Sequence, residues 1–171
     1  MNPRLIGLLI ALAIFAADQL LKWYVTGPLG VNQLGDVRYV VPVFDLRFTQ
    51  NFGISMGMFQ ASTDTARWLL VALTCGIALV VTIWLWREER FADVVPLAMI
   101  LGGALGNIVD RARLGYVVDY ADLHFGTFRP FFIFNLADAA ISIGVVIMLA
   151  RALFVGDKPA PQADASAETT R

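Results

Sequence analysis

Cysteine, histidine and clustered positive charge are all scarce in this sequence. Its 171 residues carry a formal net charge of -1 and no run rich in lysine or arginine, which argues against nucleic acid as a partner. Cys75 is the one cysteine and His124 the one histidine, so neither an internal disulfide nor the usual Cys/His metal cluster can be assembled. We therefore expect no metal and no cofactor, and we expect Cys75 to pack in an apolar environment.

Charged residues of both signs are also few, at 16%, whereas apolar residues make up 58% of the chain and the mean hydropathy is +0.67. This composition excludes an ordinary soluble domain and predicts an all-α integral membrane protein. Four apolar segments are long enough to cross a bilayer as helices. They are predicted at about residues 5–25, 68–86, 94–112 and 131–154.

The four segments predict a single membrane-embedded domain over residues 1–155. The first of them resembles a cleaved signal peptide, but three later spans favour its retention as a helix. Residues 156–171 are rich in Ala, Pro, Asp and Thr and have no means of burying apolar surface, so this tail is expected to be disordered.

A different pattern lies between the first and second spans. Phe44, Leu46 and Phe48 alternate with polar residues, a period of two that is typical of a half-buried strand. Pro42 favours an edge strand or a bulge. We expect a small β element at the membrane surface, over about residues 39–59, with a second strand from 51 to 59.

Asp138 is the most unusual residue of the fourth span, because a carboxylate costs about 2.5 to 3.5 kcal/mol at the bilayer centre. Asn135 and Asp138 are three residues apart, so on a helix they share one face. This face either lines a site or forms a solvated helix start.

Two further spans carry charged residues. Asp18 and Lys22 are four residues apart, the spacing at which opposite charges meet on a helix, and they are either a structural pair or part of a site. In the third span Asn107, Asp110 and Arg111 share a face, and Asp110 is expected to form a structural ion pair with Arg111. The glycines of the G-x-x-x-G in residues 102–106 are expected to allow close helix packing rather than phosphate binding.

An up-and-down arrangement of four spans brings these polar residues to one end of the bundle, whereas the opposite end carries only the charges of ordinary helix flanks, at Arg4, residues 87–90 and Arg151. Such a one-sided distribution predicts a functional site. The members at that end are Asp18, Lys22, Asn51, Asn107, Asp110, Arg111, Asp119, Asn135 and Asp138. Counts of flanking arginines are nearly equal on the two sides, so the positive-inside rule gives only a weak preference, for a cytoplasmic Arg87–Arg90 connection.

Asp119 and Asp138 are the candidates for chemistry, because neither has a cationic neighbour in sequence. Two carboxyls that share a site titrate as a pair, so that one can hold a proton while the other accepts one from water. This arrangement can hydrolyse a peptide bond without a metal.

Two alternatives remain. Residues 53–57 match the G-x-S-x-G pattern of a serine nucleophile, with His124 as the only available base for Ser55, but that pattern requires a strand-to-helix turn in an α/β sheet. A small ion-coupled transporter could use Asp138 as its coupling carboxylate. Transporters, however, tend to carry such groups near the midplane within inverted repeats, and no repeat is found here.

Five sequence blocks resemble, in order and spacing, the motifs of lipoprotein signal peptidase, or signal peptidase II. The blocks are D-Q-L-L-K at 18–22, N-F-G at 51–53, G-G-A-L-G-N-I-V-D-R at 102–111, V-V-D-Y at 117–120 and F-N-L-A-D at 134–138. The resemblance covers about residues 5–154. It implies a four-helix membrane aspartyl endopeptidase with a small β-sheet at the extracytoplasmic membrane surface, in the bacterial plasma membrane, with both termini cytoplasmic and the active site near the outer face.

The resemblance also implies the substrate and the roles of the residues. The substrate would be a prolipoprotein already modified with diacylglycerol, cut just before the lipid-bearing cysteine, and globomycin-type peptides would block the site. Asp119 and Asp138 would be catalytic. The residues that would support the site or bind substrate are Asp18, Lys22, Asn51, Gly53, Asn107, Asp110, Arg111, Asn135 and Ala137. Membrane lipid is the expected surrounding and a monomer the expected working unit.

Overall fold

A computed structural model of the protein describes residues 2–53 and 64–154. Four helices and three strands follow one another in this part of the chain. They are α1 (Pro3–Thr26), β1 (Val37–Val41), β2 (Phe44–Asn51), α2 (Asp64–Arg87), α3 (Phe91–Leu114), β3 (Val117–Leu123) and α4 (Leu136–Phe154). All four helices are long and apolar enough to cross a membrane, which confirms the predicted four-helix membrane bundle with a small sheet.

Helix α3 is the centre of the bundle and packs against the other three helices. Its small residues make this possible. A Cβ atom on Gly102 would lie 2.5 Å from the carbonyl oxygen of Ala11 in α1, and one on Gly103 would lie 2.5 Å from that of Ala137 in α4. The glycines therefore let both α1 and α4 pack closely against α3, and Gly102 shows the close packing predicted for the G-x-x-x-G.

The end of α3 determines where the site can form. Gly115 has a φ of 88°, in the left-handed region that favours glycine, and its N–H donates to the carbonyl of Arg111 at 3.2 Å. This cap ends the helix, and β3 starts two residues later at Val117. Asp119 is thereby held close to the end of α3, where Asn107 and Asp110 also lie.

The sheet differs in detail from the prediction. Residues 39–49 form not one strand but a hairpin, because Pro42 lies in the turn that joins β1 to β2. The predicted strand over 51–59 is wrong at its start, since β2 ends at Asn51; residues 54–59 lie outside the described part of the chain, as does the tail from 156 to 171.

Helix α4 begins at Leu136 rather than at residue 131. The preceding residues are not helical because Phe134 forms an isolated bridge with Ala121 of β3, with N–H···O distances of 2.7 and 3.1 Å in the two directions. This bridge draws the chain along the sheet before the helix starts. It brings Asn135 and Asp138 beside β3, which the sequence pattern did not indicate as a strand.

Candidate active site

Asp119 lies in the middle of β3 and is almost completely buried, with 2% of its surface exposed. Both of its carboxylate oxygens accept hydrogen bonds from side-chain amides. Asn135 donates to Oδ1 at 2.6 Å and Asn51, at the end of β2, donates to Oδ2 at 3.0 Å. The sheet and the start of α4 thus hold this carboxyl between them.

Asp138 lies in the first turn of α4 and is half-buried. Its backbone N–H donates to Oδ1 of Asn135 at 2.9 Å, and its Oδ2 accepts from the backbone N–H of Asn135 at 3.3 Å. These reciprocal bonds have the pattern of a capping box. Asn135 therefore contacts both carboxylates, through its side-chain amide to Asp119 and through its backbone to Asp138.

Asn107 of α3 is the other amide that reaches Asp138, and Lys22 determines its orientation. The ammonium of Lys22 lies 3.3 Å from Oδ1 of Asn107 and can only donate a hydrogen bond. The amide nitrogen of Asn107 therefore faces the opposite way, and it donates to Oδ1 of Asp138 at 2.8 Å. The ammonium of Lys22 in α1 thus fixes the orientation in which Asn107 donates a hydrogen bond to Asp138 in α4.

Lys22 is also the centre of a buried ion cluster. Its Nζ lies 2.8 Å from Asp18 and 2.8 Å from Asp110, and all three side chains are at most 5% exposed. The two carboxylates also accept backbone hydrogen bonds, from Ala137 to Asp18 at 3.0 Å and from Val118 to Asp110 at 3.1 Å. The cluster therefore ties α1 and α3 to the starts of α4 and β3, on either side of the two candidate catalytic residues.

The predicted ion pair between Asp110 and Arg111 is wrong. Asp110 is paired with Lys22 instead, because consecutive residues on a helix point in different directions. Arg111 donates to two backbone carbonyls, those of Gly53 at 2.8 Å and Asn107 at 3.5 Å. Among the described residues its buried Nε has no hydrogen-bond partner. Arg111 therefore fixes the chain at Gly53, just beyond β2.

The sequence reasoning left Gln19 out of the site. Its amide nitrogen donates to Asp110 at 3.0 Å and lies 3.3 Å from both Asp18 and the carbonyl of Gly106. A polar residue between two charged ones inside an apolar span was a signal that could have identified it. Gln19 thus belongs to the network that holds the ion cluster between α1 and α3.

The surroundings of Asp119 favour its protonated form. Burial, and then the neighbouring charge of Asp138, raises the pKa of Asp119 to about 7, against the hydrogen bonds from Asn51 and Asn135, which lower it. Asp138 is the more exposed of the two and is the one that water can reach. The arrangement can therefore hold a proton on Asp119 at neutral pH.

His124, the base that a serine mechanism would need, is engaged elsewhere. Its Nε2 lies 3.0 Å from Oδ2 of Asp45 in β2. Ser55 lies outside the described residues. Within residues 2–53 and 64–154, no group of three or more His, Cys, Asp or Glu side chains is arranged to hold a metal ion. Within the described residues, the polar side chains that meet at this end of the bundle are the carboxyls of Asp119 and Asp138 and the amides that donate hydrogen bonds to them.

Comparison with known proteins gives a consistent family match. A family model described as "Signal peptidase (SPase) II" matches residues 10–154. A "Lipoprotein signal peptidase" of Sphingopyxis alaskensis is 55% identical over 159 residues, which cover 93% of this chain and 91% of the relative. Another, of Rhizorhabdus wittichii, is 47% identical over 92% of this chain and 91% of its own length.

Two solved structures share the fold. One, titled "Bacterial membrane enzyme structure by the in meso method at 2.3 A resolution", gives a TM-score of 0.78 at 24% identity and covers 92% of this chain and 93% of the other. A second, with the same title at 1.9 A, gives 0.74 at 25% identity over 89% of this chain and 94% of the other. The bundle with its sheet is therefore a known membrane-enzyme fold.

Proposed function

The chain belongs to the signal peptidase II family and has lipoprotein signal peptidase function, and from this premise we propose an aspartyl mechanism. In this proposal Asp119 and Asp138 hydrolyse the peptide bond just before the diacylglyceryl-bearing cysteine of a prolipoprotein. Diacylglycerol on the substrate would anchor the scissile bond at the membrane, next to the end of the bundle where the two carboxyls lie. Globomycin-type peptides would compete for the same position.

One observation carries the proposal: both carboxyls accept a hydrogen bond from Asn135, from its side chain to Asp119 and from its backbone to Asp138, and neither forms an ion pair with any described residue. The nearby ammonium of Lys22 is already shared by Asp18 and Asp110. A carboxyl that is removed from water without a cationic partner is costly, and such carboxyls are typical of sites that require a proton to move. This combination supports a pair that works as acid and base.

In the first step, the ionised Asp138 accepts a proton from a water molecule while the water oxygen attacks the scissile carbonyl carbon. Asp119 donates a hydrogen bond to the carbonyl oxygen, whose negative charge grows as the carbon becomes tetrahedral. Asn107 and Asn135 hold the two carboxyls in position through this step.

In the second step, the C–N bond breaks and the leaving nitrogen takes the proton that Asp138 received from water. The products are the carboxyl end of the signal peptide and the free amine of the lipid-bearing cysteine. Asp119 keeps its proton, so that the pair returns to its starting state with one proton and one negative charge. No covalent intermediate and no co-reactant besides water is needed.

The pH dependence of catalysis tests this assignment. Because Asp119 acts as the protonated member and its pKa is raised to about 7 by burial and by Asp138, kcat/KM is expected to fall as the pH rises above about 7. The measurement is a pH–rate profile of the purified protein in detergent with a diacylglyceryl-modified precursor. Activity that stays constant from pH 6 to about 9 would contradict the role of Asp119.

The pH dependence of stability gives an independent check on the protonation of Asp119. Asp119 keeps its proton in the folded protein up to about pH 7, whereas an unfolded Asp releases it near pH 4. The proton on Asp119 therefore makes its full stabilising contribution to the free energy of unfolding below about pH 4, and this contribution is lost as the pH rises to about 7. Asp119→Asn should remove this pH dependence of stability. If the unfolding midpoint depends on pH in the same way in the variant, the pKa of Asp119 is not raised in the folded protein.

We also propose that both termini are cytoplasmic and that the active site faces the outside. The supporting observation is that the short connection between α2 and α3, which carries Arg87 and Arg90, lies at the end of the bundle opposite to Asp119. A reporter fused after residue 171 should be inaccessible to a membrane-impermeant label in intact cells. Labelling of the reporter before lysis would show the opposite orientation and contradict this proposal.

A further inference from the structure

A second charged group lies on the sheet, apart from the two catalytic candidates. Asp122 of β3 is fully buried. Arg47 of β2 donates from Nε to its Oδ2 at 3.1 Å, and Arg129, from the connection to α4, donates from Nε to both oxygens at 3.1 and 3.2 Å. One buried carboxylate thus holds two guanidinium groups side by side; we refer to Arg47, Arg129 and Asp122 as the arginine clamp.

The clamp leaves the outer edges of both guanidiniums unused. Each arginine binds Asp122 through Nε, and no residue in the described part of the chain accepts a hydrogen bond from their terminal Nη groups. The side chains of Arg47 and Arg129 are 33% and 43% exposed. A guanidinium can present two parallel N–H groups on a free edge, the geometry that fits a phosphate.

The charge at the surface of the clamp is positive. Two guanidiniums share one carboxylate, and that carboxylate is buried beneath them. Asp45, which lies opposite Asp122 in the neighbouring strand, is also buried and directs Oδ2 to His124 at 3.0 Å. The charges that reach solvent at this point are therefore those of the two arginines, so an anion can approach.

The surroundings of Arg129 indicate which anion. Four phenylalanines of the same connection are strongly exposed, at 56% for Phe125, 65% for Phe128, 61% for Phe131 and 71% for Phe132. Exposed phenylalanines beside a basic residue are typical of a segment that lies in the interface of a bilayer. The sheet also lies at an end of the bundle, where lipid headgroups surround the protein.

We propose that the arginine clamp binds the phosphodiester of an anionic phospholipid headgroup. The lipid would hold the sheet, and with it β3 and Asp119, at a fixed depth relative to the membrane surface. Asp122 lies three residues beyond Asp119 along β3, and this site takes a lipid that is not a substrate. Binding there does not depend on peptide-bond cleavage, so it can be measured without turnover.

The test uses the full chain reconstituted into phosphatidylcholine vesicles that contain about one fifth phosphatidylglycerol, a content at which charge-driven binding is measurable. The protein is released in mild detergent, and retained phosphatidylglycerol is counted by native mass spectrometry. Arg47→Gln and Arg129→Gln should each reduce retention about 10-fold, because each removes one edge of the clamp. Arg47→Lys should reduce it nearly as much, since lysine keeps the charge and its contact with Asp122 but lacks the fork.

Arg38→Gln is the matched control, because Arg38 is an exposed arginine on β1 of the same sheet. Its retention should stay within about 2-fold of the unchanged protein. An equal loss with Arg38→Gln would mean general surface attraction and would overturn the proposal. Displacement of the lipid by millimolar inorganic phosphate alone would also overturn it, in favour of free phosphate as the ligand.

Discussion

Replacement of Asp138 by Asn is expected to lower the rate of precursor cleavage by about 10³-fold or more, because it removes the group that accepts a proton from water. The change is nearly isosteric, and the side chain can still accept a hydrogen bond from Asn107. The fold should therefore survive. The measurement is single-turnover cleavage of a diacylglyceryl-modified precursor, together with the unfolding midpoint in detergent.

Asp119→Asn should have a comparable effect, and the double variant should be little slower than either single variant, because the two carboxyls act as a unit. Asp93→Asn is the matched control. Asp93 lies at the opposite end of the bundle, far from the proposed chemistry, and its Oδ1 is 2.6 Å from Nε of Arg151. Its cleavage rate should stay within about 2-fold of the unchanged protein. Normal turnover by either dyad variant would contradict the aspartyl mechanism.

Gly103→Ala is expected to destabilise the protein by about 1–3 kcal/mol, because the new methyl group cannot fit between α3 and α4. It would lie 2.5 Å from the carbonyl oxygen of Ala137 and 2.8 Å from Ile141, so α4 must move. Asp138 is the next residue after Ala137, and its 2.8 Å bond from Asn107 would lengthen. A displacement of about 1 Å at the reacting groups can cost about 10²-fold in rate.

Gly76→Ala in α2 is the control for this change, since no atom of the described residues, apart from the backbone of α2 itself, lies within 4 Å of the added methyl group. Alanine has the higher helix propensity, by about 1 kcal/mol, so this variant should be as stable as the unchanged protein or more stable. Thermal unfolding in detergent and the cleavage rate compare the two. Equal stability and equal activity of both variants would show that α3 and α4 are not held as closely as described.

The candidate dyad could be predicted from sequence because its members are ionisable residues without nearby cations at the ends of apolar spans. The Asp18–Lys22 pair was also accessible, since their i, i+4 spacing brings them together on one helix, and the structure confirms it at 2.8 Å. Local spacing within a helix is sufficient for such predictions. The roles of these residues in catalysis remain a proposal.

Contacts between elements could not be predicted in the same way. Helix geometry argues against Arg111 as the partner of Asp110, but only the packing of α1 against α3 brings Lys22 to this carboxylate. Likewise β3 was not indicated as a strand, because it is buried on both faces and its pattern lacks the alternation of a half-buried strand. The late start of α4 follows from that strand, through the bridge between Phe134 and Ala121.

The most direct test of the central claim is mass spectrometry of the products of a purified reaction between the full chain and a diacylglyceryl-modified precursor. With the unchanged protein, we predict a released signal peptide and a product that begins with the lipid-bearing cysteine. With Asp119→Asn or Asp138→Asn, correctly folded by their unfolding midpoints, we predict only intact precursor. The same two products from either variant would contradict the claim that these two carboxyls carry out the cleavage.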